Sequence, residues 1–333
     1  MAYYDGLIDS LGLRDWCNQS QASGLTSMAD LLKKAGGEDA AGSEGIPFPS
    51  LDELNAACPN IGRTRDLTSG LETLFLNAKD SMKWVLDPLT QPLSWALDLS
   101  LDAFTAAPWW LMMFLITVLV YLATRSKGVT SFVLVSLFGL AFIDHYTYAI
   151  ETLSIIFVCT VVCILFGVPI GIAMSRSNLL QRMTVPVLDM LQTLPSFVYL
   201  IPLIFLFSVT ESKLYGIAII LYAIVPVIRL TDLGIRLVDK EVIEAADAFG
   251  MSKRQKLFGV EIPLAMPNIM AGVNQTIMMA LAMVVIASLV SAPGLGVLVL
   301  RGIRNLELGV GLVAGLCIVL LAVILDRASK AAL

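Results

Sequence analysis

Charge is scarce in this sequence, and histidine nearly absent. Of 333 residues only 15% are Asp, Glu, Lys or Arg, and the single histidine is His145. Soluble domains carry about 25% charged residues, which argues against an ordinary soluble enzyme. The 57% hydrophobic content excludes a disordered chain. One histidine and five scattered cysteines supply no metal-ligand cluster. Cys159 and Cys163 stand four apart in an apolar block and read as small packing residues. Cys17 and Cys58 are free to pair if the segment holding them faces an oxidising compartment. No Gly-x-x-x-x-Gly-Lys-Ser/Thr phosphate loop occurs, so any ATP is hydrolysed on another chain. No nucleophile–base pair stands in a loop, and no basic run is long enough to follow nucleic-acid phosphates. Met1 to Ser10 lacks the basic cluster and apolar stretch of a cleaved signal, and neither end carries a lipidation motif; no leader is expected.

What the chain does have is long apolar blocks, and a mean hydropathy of +0.81. Crossing the hydrocarbon takes about 20 apolar residues per helix. Blocks over 109–124, 129–143, 149–175, 185–209, 214–230, 268–291 and 306–325 predict an all-α, polytopic helical membrane protein with about seven spans. Trp109 and Trp110 suit an interfacial anchor, as do His145, Tyr146 and Tyr148 at the far end of the second block.

Ahead of the blocks the composition changes. Residues 1–108 hold 7 Lys and Arg against 15 Asp and Glu, and the remainder 15 against 12. Residues 1–70 read as a flexible acidic tail rich in Gly, Ser, Ala, Asp and Asn. Residues 71–108 alternate apolar with charged positions, and Asp87-Pro88 and Gln91-Pro92 are expected to break them into short amphipathic pieces. These would lie on the membrane surface or pack as a small helical subdomain. Residues 109–145 form two accessory spans and 146–333 the core.

Loop charges orient the chain. With the amino terminus outside, inner loops carry 12 basic residues, and outer loops only Lys213, Arg301 and Arg304. The positive-inside bias therefore predicts an outer acidic tail and an inner carboxyl terminus.

One inner loop, residues 231–267, is long and patterned. Asp239 is an N-cap, followed by Glu241 and Glu244 near the positive end of a helix dipole. Ala245, Ala246 and Ala248 keep that helix thin. Gly250 ends it in the left-handed conformation, and Ser252 with Gln255 forms a capping box for a second helix, which Pro263 and Pro267 are expected to stop. The product is a two-helix elbow, suited to docking in a protein cleft or to lying on lipid headgroups.

Glu244-Ala245-Ala246, Gly250 four residues on, and Val260-Glu261-Ile262-Pro263 resemble the EAA loop of bacterial ABC importer permeases of the MetI-like family. Val260 and Ile262 depart from that pattern's Ile and Leu, conserving shape. Asp189 to Pro202, Met283 to Ser288, Pro293-Gly-Leu-Gly296 and Ile324-Leu-Asp-Arg327 resemble the glycine betaine/proline betaine permeases within that family. The resemblance covers about residues 75–333. It implies that Glu244, Ala245, Ala246, Gly250 and Pro263 couple the chain to a pair of ATP-binding cassette subunits, where ATP and Mg would bind. It also implies a second permease copy, an extracytoplasmic substrate-binding protein that selects the solute, and a bacterial inner-membrane location.

Polar residues inside spans are costly and draw functional attention. Asp189 and Gln192 share a helical face, beside Thr193 and the ladder-interrupting Pro195; Asn274 and Gln275 lie in the sixth span. They either line a translocation path or join helices by hydrogen bonds. Pro293 to Ile303 reads as a turn and a short apolar helix, a candidate re-entrant gate. The leading expectation is an importer subunit for betaine, proline betaine, choline, carnitine or trimethylamine N-oxide. The rival is a self-sufficient secondary transporter or channel, which should show inverted repeats and intramembrane coupling carboxylates; no clear repeat is found.

Overall fold

The computed structural model describes residues 64–331, together with Ile8 and Gly12. The acidic tail up to residue 63, with the Cys17–Cys58 question, lies outside the described residues. The chain divides into two units, Met1–Asp80 and Ser81–Leu333. Helix α1, Thr64–Ala106, begins in the first unit, where Leu71 and Leu74 are exposed.

The second unit continues through α2 (Trp109–Thr124), α3 (Lys127–Phe142), α4 (Tyr146–Arg176) and α5 (Asn178–Thr193). A 3-10 turn, Ser196–Tyr199, leads into α6 (Leu200–Leu206), then α7 (Ser212–Arg236), α8 (Lys240–Ala248) and α9 (Lys253–Lys256). A π-turn, Leu257–Glu261, joins α9 to α10 (Ile262–Ala287); α11 (Leu295–Arg304) and α12 (Leu308–Ala331) complete it. The described residues contain no strand, as the helical periodicity requires.

Helices α4, α7 and α10 form the centre. Helix α7 is mostly buried, whereas little of the last helix is buried, and it therefore sits at the rim. Lipid is as apolar as leucine, so helices associate through close packing of small residues. Gly171 of α4 sits so close to α7 that a Cβ would lie 2.7 Å from the Ile228 carbonyl, and one on Gly272 of α10 would lie 3.0 Å from Val227 Cα.

Three expectations need correcting. Prolines 88 and 92 do not break α1, which runs through both. Tertiary contacts on either side of the gaps in its hydrogen-bond ladder hold it: Asp87 pairs with Lys213 at 2.8 Å, and Leu97, fully buried, packs where Gly216 leaves room. The fourth span is not one rod: Asn178–Thr193 and Ser196–Leu206 meet at 104°. Pro195 removes an N–H and forces Leu194 into an extended conformation (ψ 134°). The elbow's second helix does not stop at Pro263 and Pro267 but runs on into the sixth span as one rod, Lys253–Val290. The π-turn makes this possible, because Ile262 N–H reaches back to the Leu257 carbonyl and the widened turn admits the Pro263 ring.

Among the described residues four helices can cross a membrane by length and composition: Tyr146–Arg176, Ser212–Arg236, Lys253–Val290 and Leu308–Lys330. The number rises to six if each bent pair is one span. Helix α3 is apolar but has 16 residues, about 24 Å at 1.5 Å per residue, short of the ~30 Å hydrocarbon. The expected seven is therefore not reached on these criteria.

Candidate functional site

The elbow is built as its residues demand. Asp239 accepts a hydrogen bond from Glu241 N–H at 3.0 Å and starts α8. At the other end Gly250 adopts φ +75°. Its N–H donates to the Asp247 carbonyl (2.9 Å) and that of Met251 to the Ala246 carbonyl (3.2 Å), the paired bonds of a Schellman cap. Glycine enters this left-handed conformation without the backbone strain that a Cβ brings. Ser252 and Gln255 then form the capping box: Ser252 N–H donates to Gln255 Oε1 at 2.9 Å, and Gln255 N–H to Ser252 Oγ at 3.4 Å. Lys256 donates to both carboxylate oxygens of Asp247, at 2.6 and 2.8 Å, tying the two helices across the glycine.

One face of the elbow belongs to the bundle. Ala246 is buried, and Ile243 packs against the cluster of Ile235, Val238, Ala265 and Ile269. The other face is open: Glu244 and Ala245 are exposed, and Phe249 and Phe258 are 86% and 68% exposed. Five residues of the motif are thus divided. Ala246 alone is buried against the bundle; Glu244, Ala245 and Gly250 face outward, and Pro263, also exposed, lies in the rod that continues into the sixth span.

Beneath the elbow lies a polar network. Glu261, with 4% of its side chain exposed, accepts from Arg176 at 2.6 Å. Asp232, 8% exposed, accepts from Arg236 (2.8 Å) and from Gln181 (2.7 Å). Arg236 also donates to Asn178 (2.9 Å) and to the Met174 carbonyl (2.7 Å). These bonds join the ends of α4, α5 and α7 to the base of the elbow. Sequence reasoning missed these residues as site components. The signals were present: Glu261 is a lone carboxylate in an apolar run and needs a partner once buried, and Asp232 and Arg236 stand at helical i,i+4 spacing.

The proposed path residues do not form one cluster. Asp189, on the broken helix, pairs with Arg229 of α7. Gln192, three residues on, is half-buried, and Thr193 and Pro195 are exposed at the break; the Thr193 hydroxyl donates to the Met190 carbonyl at 3.4 Å. Asn274 donates to Asp326 (3.0 Å) and accepts from Ser329 (2.6 Å), bonding α10 to α12. Gln275 is exposed. At the other end Gly294 adopts φ +112° and lies against Thr152, whose hydroxyl accepts from Leu295 N–H at 2.9 Å. The amphipathic α11 follows, bordering a cleft of about 230 Å³ lined by Ser288, Arg301, Arg304 and Asn305. Among the described residues no group of His, Cys, Asp and Glu could hold a metal ion.

Residues 164–331 match the model of the family described as "Binding-protein-dependent transport system inner membrane component". The glycine betaine/proline betaine transport system permease protein ProW of Escherichia coli (strain K12) is 48% identical over 199 residues, covering 60% of this chain and 56% of that protein. The glycine betaine transport system permease protein OpuAB of Bacillus subtilis (strain 168) is 39% identical over 228 residues, 68% of this chain and 76% of that one. The chain thus spans little more than half the length of the first of these relatives. An inward-facing structure of the MetNI methionine ABC transporter aligns with TM-score 0.46 and 20% identity, over 55% of this chain and 93% of the other. With the matched segment running from α4 through the elbow to α12, the chain is a multi-pass membrane protein and belongs to the family of inner membrane components of binding-protein-dependent transport systems.

Proposed function

We propose that this chain is the permease subunit of a binding-protein-dependent, ATP-driven importer for glycine betaine-like compatible solutes: betaine, proline betaine, choline, carnitine or trimethylamine N-oxide. Two copies form the translocation path. A pair of ATP-binding cassette subunits binds ATP and Mg and drives the elbow, while an extracytoplasmic binding protein delivers solute. The core permease domain is residues 146–333, which encloses the family match at 164–331; residues 109–145 are accessory spans and 71–108 an interfacial segment. The acidic amino-terminal tail is periplasmic and the carboxyl terminus cytoplasmic.

The observation that carries the reading is the elbow's open face. Large apolar side chains, Phe249 and Phe258, stand in water beside the thin Ala245 surface, while the opposite face is fixed to the helices that would move. An apolar patch rimmed by charge is suited to a protein partner, and a rod continuous with the sixth span is suited to transmitting motion. The names of the two relatives support a methylated ammonium solute. Such cations are recognised by aromatic cages, and that recognition is assigned to the binding protein.

The test is glycine betaine uptake by proteoliposomes of the full assembly. Phe249→Ser is expected to cut ATP-dependent uptake at least tenfold while the chain still inserts. Unchanged uptake rejects the docking role. Ion-driven uptake by vesicles holding this chain alone would establish the secondary-transporter alternative instead.

A further inference from the structure

The Asp189–Arg229 pair differs from every other ion pair near the elbow. It joins the broken helix α5 to α7. Arg229 precedes the end of α7, Arg236, by seven residues, about 10 Å of helix. Gly272 of α10 packs against Val227 and Leu230 at this level. Here 37% of the Arg229 side chain and 55% of the Asp189 side chain are exposed. Charges at such depth avoid lipid and face water-filled or protein-lined cavities.

The pair is also unsaturated. A guanidinium has five N–H donors. Arg229 donates to Asp189 Oδ1, and its Nε is enclosed with no acceptor. Asp189 Oδ2 has no partner among the described residues. Arg236, two turns lower, is the contrast: Asp232, Asn178 and the Met174 carbonyl all accept from it. That network already fastens α5 to α7, so the upper pair is not needed as a clamp. Just beyond Asp189 the chain breaks at Pro195 and turns by 104°.

We propose that Asp189 and Arg229 form a charge-matched constriction that favours net-neutral zwitterions, the solute's cationic group passing along the carboxylate and its carboxylate along the guanidinium. This rests on the permease reading above and narrows its substrate class. A zwitterion replaces both partners at once, so neither protein charge is left uncompensated. A lone cation satisfies Asp189 but leaves Arg229 without a counter-charge, and a lone anion does the reverse, so the matched zwitterion is preferred over either.

The experiment uses the full importer in proteoliposomes, reading glycine betaine uptake and ATP hydrolysis in the same vesicles. Arg229→Gln and Asp189→Asn are each expected to lower uptake per ATP hydrolysed about tenfold, the effect of losing one charge-assisted hydrogen bond. Arg229→Lys keeps the charge and should lose less. Uptake per ATP equal to wild type in all three variants overturns the proposal. So does a parallel fall of uptake and hydrolysis, which marks a fastening role. If Arg229→Gln fails to assemble with the ATPase, the isosteric Asp189→Asn carries the test. Failure of the unsubstituted importer to take up glycine betaine sinks the permease reading itself, and is read separately from the variants.

Discussion

The two ends of the second unit hold charge in opposite ways. At the elbow end the buried groups are carboxylates: Glu261 and Asp232 have 4% and 8% of their side chains exposed, and their arginines reach out to 40% and 29%. At the other end the buried group is a cation. Lys213, 5% exposed, lies between Asp87 and Glu211, each 2.8 Å away and about a third exposed at 34% and 31%. The Phe207 ring lies 5.1 Å beneath the ammonium, and Ser212 donates to Asp98 nearby. The elbow end is a lattice in which Arg236 ties the ends of α4, α5 and α7 together and Arg176 adds the link to Glu261. The opposite end gathers α1 and the start of α7 around one point. A lattice transmits force without yielding, whereas a single point can part while the rest of the bundle stays closed.

Glu261→Ala should therefore have the largest effect. It removes a buried carboxylate from a turn already widened for Pro263 and strands Arg176. Breaking such a pair costs about 3 kcal/mol, moderated here because Arg176 is partly in solvent. The buried thiols Cys159, Cys163 and Cys317 supply the measurement, since a thiol-reactive dye reaches them only on unfolding. Lys213→Met should come second, at about 2 kcal/mol, because the two stranded carboxylates regain water. It should lower the unfolding midpoint without changing uptake per ATP. Equal losses in the two variants would break the contrast between the ends.

Much of the architecture was readable because the signals are local. Asp239, Gly250 and the Ser252–Gln255 box fixed the elbow's first helix and its turn, and each depends on residues within a few positions. The apolar blocks located the helices for the same reason. What could not be read depends on distant residues. Pro88 and Pro92 look like breakers until Lys213 and Gly216, more than a hundred positions on, hold α1 on both sides of them. Pro263 looks like a stop until the π-turn absorbs its ring. Pro195 was recognised as an interruption, but no local rule gives a turn of 104°. Asn274 is a candidate for the path or for helix bonding, and its partners, Asp326 and Ser329, lie more than fifty positions away. The pairing of Arg229 across to Asp189, forty positions away, has no sequence signature.

Two smaller substitutions sharpen the comparison by separating the elbow's own folding from its attachment. Gly250→Val places a β-branched residue at φ +75°, where an L side chain costs roughly 1–2 kcal/mol. Nothing lies within 4 Å of the missing Cβ, so strain and not collision is the cause. Uptake should fall because the angle between α8 and α9 changes, while the unfolding midpoint falls less than in Lys213→Met. Ser252→Ala is smaller still. It removes one half of the capping box, about 1 kcal/mol, from a four-residue helix with no buried residue. Lys256 still holds Asp247 with two bonds, so the two arms remain joined. Amide exchange at Gln255, whose N–H loses its acceptor, should accelerate about fivefold, with the unfolding midpoint unmoved. A global loss as large as that of Lys213→Met would mean that the elbow folds as part of the bundle rather than as an arm attached to it, and the lattice beneath would then be only one of several supports.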